Sequence, residues 1–177
     1  MNPFERLGLE KRLAISEAEL REAFRAAGKS GHPDAGGSGD GFALLQDAFA
    51  RLSSPSRRLR CWLEAKGLSG EERGAISPAL VDLFGSVGAA LQQADTVTKR
   101  REAALSALAK AMLEPAVQQA REALEGALDH VATALQAEEA RFPDLEAGHG
   151  DPWLVARDLA FLEKWQAELK SRFAGLW

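Results

Sequence analysis

Two short runs within residues 28–34 carry side chains that could do chemistry. Gly28-Lys29-Ser30 has the ending of a phosphate-binding loop, in which backbone N–H groups and a lysine cradle phosphate oxygens. Such a loop needs an earlier glycine, follows a strand and opens a helix. Ala23 stands where that glycine belongs, and the residues before it are patterned as a helix, so nucleotide binding is excluded here. His32-Pro33-Asp34 offers something different. Taken alone the tripeptide is a weak signal, and its weight comes from the hairpin that carries it. The bland alternative is a helix stop in which Asp34 caps a turn. Elsewhere Asp144, Glu146, His149 and Asp151 crowd one segment, which reads as a solvated interhelix loop. Cys61, beside Trp62, is the single cysteine; it excludes an internal disulfide and a cysteine-built zinc site and reads as a packed thiol. No acid–base pair or nucleophilic triad has supporting context. The expectation is therefore no catalytic residue, no metal ligand, no cofactor and no enzyme.

The elements that present the tripeptide are legible. Ser16 and Glu19 form an S-x-x-E capping box, with Ile15 and Leu20 as its staple. Leu20, Ala23, Phe24 and Ala27 then mark one face of a helix, and Arg21, Arg25 and Lys29 line one flank of it. Gly28, Gly31 and Pro33 end it, and DAGGSGDG is a polar loop. Phe42, Leu45, Phe49 and Leu52 give a second helix that faces the first in an antiparallel hairpin. Ser54-Pro55 opens a third element through Leu59, Trp62 and Leu63, which Gly67 stops.

The 177 residues suffice for one sizeable domain or two small ones, and abundant alanine and leucine favour an all-α chain. The net charge of −4 argues against a nucleic-acid partner. Residues 1–67 carry 11 basic and 9 acidic side chains, while residues 68–177 carry 11 and 17, which suggests two modules. No apolar leader core or spanning run is seen, so no membrane partner and a cytoplasmic location are expected.

Residues 3–66 resemble the J domain, the co-chaperone module that stimulates ATP hydrolysis by DnaK-type heat-shock chaperones. Leu7-Gly8-Leu9, the helix with Leu20 and Phe24, His32-Pro33-Asp34, Ala48-Phe49, Leu52, Pro55 and Arg58 carry the resemblance. Gly31 and Ala35 flank the tripeptide where J domains usually carry a bulky side chain and a base. The resemblance implies that Arg21, Arg25, Lys29, His32, Pro33 and Asp34 bind the chaperone. Arg21, Arg25 and Lys29 would meet an acidic face and steer association, and Asp34 would bond at the partner's interdomain region.

Residues 68–77 read as a linker, and 78–177 as a three-helix antiparallel bundle. Ser77-Pro78 starts a helix with Leu80, Phe84, Val87 and Leu91 on its buried stripe. A pattern from about Thr98 to Phe142, through Leu105, Leu108, Met112, Ala116, Ala120, Leu124, Leu128, Val131 and Leu135, reads as one kinked helix or two abutting at Pro115. FPDLEAGHGDPW is a loop, and Asp151-Pro152 opens a last helix that buries Val155, Leu159, Leu162, Leu169, Phe173 and Leu176. A J domain followed by such a bundle resembles the iron–sulfur cluster co-chaperone (HscB-like) family, with RDLAFLEKWQAELKSRF the closest local match in this half. That resemblance implies a bundle that binds the iron–sulfur cluster scaffold protein through an apolar patch. Phe161 maps onto it well, and Leu80, Leu83 and Phe84 map approximately. Phe161 also stands at the edge of its stripe beside Leu154 and Trp165. Two alternatives stand beside it: a helical protein-interaction module whose J-like hairpin is inactive, or a J-domain protein for another client.

Overall fold

The structure, a computed structural model, describes residues 1–30 and 39–177, with the side chains of residues 30, 39 and 40 left out. Among the described residues all regular structure is helical. His32, Pro33 and Asp34, with Gly31 and Ala35, lie outside the described residues.

Packing divides the chain into two compact units, residues 1–74 with 138–160, and residues 75–137 with 161–177. The expected boundary in the connector 68–77 assigned everything after it to one bundle, whereas the first unit takes a later segment as well.

In the first unit α1 (Pro3–Arg6) is held by a reciprocal cap: Glu5 N donates to Asn2 Oδ1 at 3.0 Å, and Asn2 N to Glu5 Oε2 at 3.3 Å. It buries Phe4 completely. Ser16 Oγ accepts from Glu19 N at 3.2 Å at the start of α2 (Glu17–Ser30), and the Glu19 carboxylate pairs with Arg12. α3 (Gly39–Ser53) packs against α2. Phe24 meets Phe49 at 4.8 Å between ring centroids, while Gly28, a turn later, faces the earlier Leu45. The two helices are therefore antiparallel. α4 (Pro55–Ala65) starts at Ser54, whose Oγ accepts from Arg57 N at 3.3 Å, and ends before Gly67 at φ +68.

The later segment of this unit is α8 (Phe142–Glu146) and the first part of α9 (Pro152–Ala174). α8 occupies part of the expected loop because Phe142 and Leu145 have a core to enter. Buried Arg58 joins the segment to the hairpin. Its guanidinium donates to Ile15 O and Leu52 O, both at 3.3 Å, and to Glu139 Oε2 at 3.1 Å, and lies 5.5 Å from the Phe142 ring centre. Leu13 N donates to Glu146 at 2.5 Å, and Asp151 Oδ1 caps α9 by accepting from Trp153 N and Leu154 N. At Gly70 a Cβ would fall 2.1 Å from the Trp153 ring, so only glycine fits.

In the second unit α5 (Pro78–Ala103), α6 (Ala107–Ala111), nearly all of α7 (Glu114–Glu139) and the rest of α9 surround Val87, Ala94, Leu124, Val131, Leu162 and Leu169. Each buried valine or leucine contributes about 1.5–3 kcal/mol, and the alanine about 1 kcal/mol. Arg101 pairs with Glu114, and Arg121 with Leu176 O, so helices consecutive in the chain are antiparallel. α5 and α9 consequently run side by side in one direction, Phe84 against Trp165 and Asp95 against Arg172.

The expected helix from Thr98 is not continuous. Ala104 is extended at ψ 113, and Ser106 caps α6 by accepting from Ala109 N at 3.1 Å. Leu105, Leu108 and Met112, expected inside, are exposed, because the break turns them away from the core. Pro115 sits in the first turn of α7, where its missing N–H costs nothing.

Candidate protein-docking surfaces

Leu20 is buried and Phe24 half-buried on one side of α2, so the helix must turn Arg21, Arg25 and Lys29 to solvent, and all three are exposed. Arg21 pairs with Glu17, and Arg25 Nε donates to Arg21 O at 3.3 Å, which lays both side chains along the helix. Lys29 stands in the last turn, where a cation is favoured by the helix dipole. The described part of this surface is a cationic flank of α2.

The second surface lies in the second unit, where one face of α5 meets the later half of α9 in a groove of about 570 Å³. Phe84, 61% exposed, and Phe161, 41% exposed, stand on either side of buried Trp165, at 5.9 and 6.1 Å between ring centroids. The groove floor includes Gly88, where an added Cβ would meet nothing within 4 Å. Beyond it the lining turns polar through Asp95, Lys99, Lys164 and Glu168, and Asp95 is bound by Arg172 at 2.5 Å. An apolar mouth with a charged far end is suited to a partner helix that carries both kinds of side chain.

Of the residues mapped to a client face, Phe84, Phe161 and Trp165 are brought together, with Trp165 as their support rather than as exposed surface. Leu80 is buried and takes no part, because it shares the inward side of α5 with Val87. Leu83 is half-buried, and half-buried Leu154 belongs to the other unit. Exposed Val81, one turn before Phe84, extends the patch and was missed from the sequence, as was Gly88. The signal was there: Gly85 and Gly88 sit inside α5, where each costs about 1 kcal/mol against alanine and leaves the helix surface bare.

The remaining candidates have other occupations. Glu146 and Asp151 are taken by the backbone bonds above, and among the described residues no three His, Cys, Asp or Glu side chains converge as a metal site. Burial pushes the Cys61 thiol up from its ordinary range, against the pull of Arg51, so it is a poor nucleophile. Burial likewise raises the Glu138 carboxyl, opposed by Arg141 at 2.8 Å and reinforced by buried Asp158.

No protein-family model and no curated protein sequence matches the chain. Among solved structures it is similar to chaperone HscB from Vibrio cholerae, with a TM-score of 0.57 over the whole of both chains and 23% identity. The fold is HscB-like. Within this HscB-like architecture the cationic flank of α2 belongs to the first unit, and the Phe84–Phe161 groove to the second. Among the described residues no helix is long and apolar enough to cross a membrane.

Proposed function

We propose that the chain is a co-chaperone that stimulates ATP hydrolysis by a DnaK-type heat-shock chaperone and delivers to it a client, the iron–sulfur cluster scaffold protein. The observation that carries this reading is the His32-Pro33-Asp34 sequence directly after a helix with three exposed cations, on an HscB-like fold. Arg21, Arg25 and Lys29 meet an acidic chaperone face, which speeds encounter and makes it salt-sensitive. Asp34 then supplies a carboxylate to the chaperone's interdomain region, with Pro33 limiting the loop and His32 supporting it. None of the three performs chemistry. They favour the hydrolysing conformation of the partner, whose own site cleaves ATP, so the protein is not an enzyme and needs no cofactor. The client docks on Phe84 and Phe161 above Trp165, with Val81 at the edge. On this reading residues 1–67 act as the J domain and the helices after residue 77 as the client-binding part, working in the cytoplasm.

The test is ATP turnover by the DnaK-type chaperones of the same organism. The wild-type chain is expected to raise turnover, and His32→Gln to leave it at the basal rate with an unchanged circular dichroism spectrum. Absence of stimulation by the wild type across those chaperones refutes the proposal.

A further inference from the structure

The connection between α5 and α7 presents apolar side chains that nothing in its unit covers. α6 buries none of its residues. Leu105, just before the Ser106 cap, is 100% exposed, Leu108 within α6 73%, and Met112 at its end 76%. Trp177, 77% exposed, belongs to the same end of the unit, since it lines a shallow hollow with Arg101, Glu102 and Lys110. Arg121 lies over its ring at 4.3 Å. Single exposed leucines need no account, but four large apolar side chains at one end of a small unit do.

Charge supplies an independent observation. Between Lys99 and Glu114 the chain carries four bases and two acids, against a net −4 overall. Lys99, Arg100 and Lys110 are exposed; Arg101 is engaged by Glu114 and by Leu176 O at 3.2 Å. Glu102 and Glu114 are both exposed, and Glu114 is the one that pairs with Arg101.

We propose that this end of the second unit docks reversibly on an anionic lipid surface. Leu105, Leu108 and Met112 enter the boundary between headgroups and acyl chains, Trp177 lies at the interface, and Arg100 and Lys110 meet lipid phosphates. A fully exposed side chain such as Leu105 has no groove wall beside it. A protein partner would need a hollow shaped for each projecting group, whereas a fluid bilayer receives them as they stand. With one short apolar face and few bases, the contact is peripheral and weak, and no helix spans. The proposal does not depend on the co-chaperone reading.

The full chain is tested by co-sedimentation with phosphatidylcholine vesicles, with and without phosphatidylglycerol. Binding is expected with the anionic vesicles at about 0.1 M salt and several-fold less at about 1 M, as the screening length shrinks. Tryptophan emission should shift to the blue on vesicle addition, and the shift should vanish in Trp177→Phe. The double variant Leu105→Ser/Leu108→Ser removes exposed groups only, so its melting temperature should hold while binding falls several-fold. Arg100→Glu/Lys110→Glu should do the same. No binding by the wild type overturns the proposal. So does binding that survives the serine variant, which would assign it to the bases of α2. Self-association of the wild type that the serine variant abolishes also overturns it, as a contact between copies.

Discussion

Replacing Phe161 by alanine should weaken scaffold binding without unfolding the bundle, and the size of the effect follows from the structure. Phe161 keeps 41% of its surface exposed, and its neighbour Trp165 is already buried. Of the roughly 200 Å² a phenylalanine can bury, about 80 Å² is thus available to a partner. At about 25 cal/mol per Å² this is worth roughly 2 kcal/mol, or about a thirty-fold rise in Kd. Alanine keeps a Cβ, and a partner need not cover the whole ring, so about ten-fold is the lower bound expected. Isothermal titration of the scaffold protein reads the affinity, and a thermal melt in parallel reads stability, which should fall by about 2–3 kcal/mol because the larger part of the ring is buried against its own unit. A Kd within about two-fold of wild type, with the fold intact, would refute the assignment of this face to the client.

Three further outcomes test the packing. Gly88→Leu puts a side chain into the groove at a position where the Cβ itself meets nothing within 4 Å, so melting temperature should rise by the helix gain while client affinity falls; parallel changes would contradict the groove. Arg58→Ala should cost about 3 kcal/mol in urea unfolding, because two buried carbonyls lose their donor, although half-exposed Glu139 remains hydrated. A loss below about 1 kcal/mol would contradict that role. Glu138 holds its proton more tightly when folded, so wild-type stability should fall as pH rises from about 4.5 through the raised folded value. Glu138→Gln removes that fall, and its stability relative to wild type should therefore improve toward neutral pH; a difference that is flat or reversed would count against it.

What could be read from the sequence was mostly local. Ser54-Pro55 and Asp151-Pro152 announce their helices because a cap is satisfied within three residues. The antiparallel hairpin was legible because Leu20, Phe24, Leu45 and Phe49 repeat at helical spacing. Ala104–Ser106 was not, because alanine and leucine at steps of three and four look the same on either side of a break. Phe84 shares a four-residue step with Leu80, yet that step turns about 40° round the helix, enough to leave one exposed and the other buried. The joining of residues 138–160 to the N-terminal unit rests on contacts such as Arg58 with Glu139, 81 positions apart, which no local pattern records.

The central claim is that one chain couples client and chaperone. Its most direct measurement is chaperone ATP turnover with the scaffold protein and this chain added separately and together. The pair should stimulate more than the sum of each alone. Phe161→Ala should keep the chain's own stimulation but lose the excess, and His32→Gln should lose both. Turnover that the pair leaves at the basal rate, or an excess that Phe161→Ala fully retains, would contradict it.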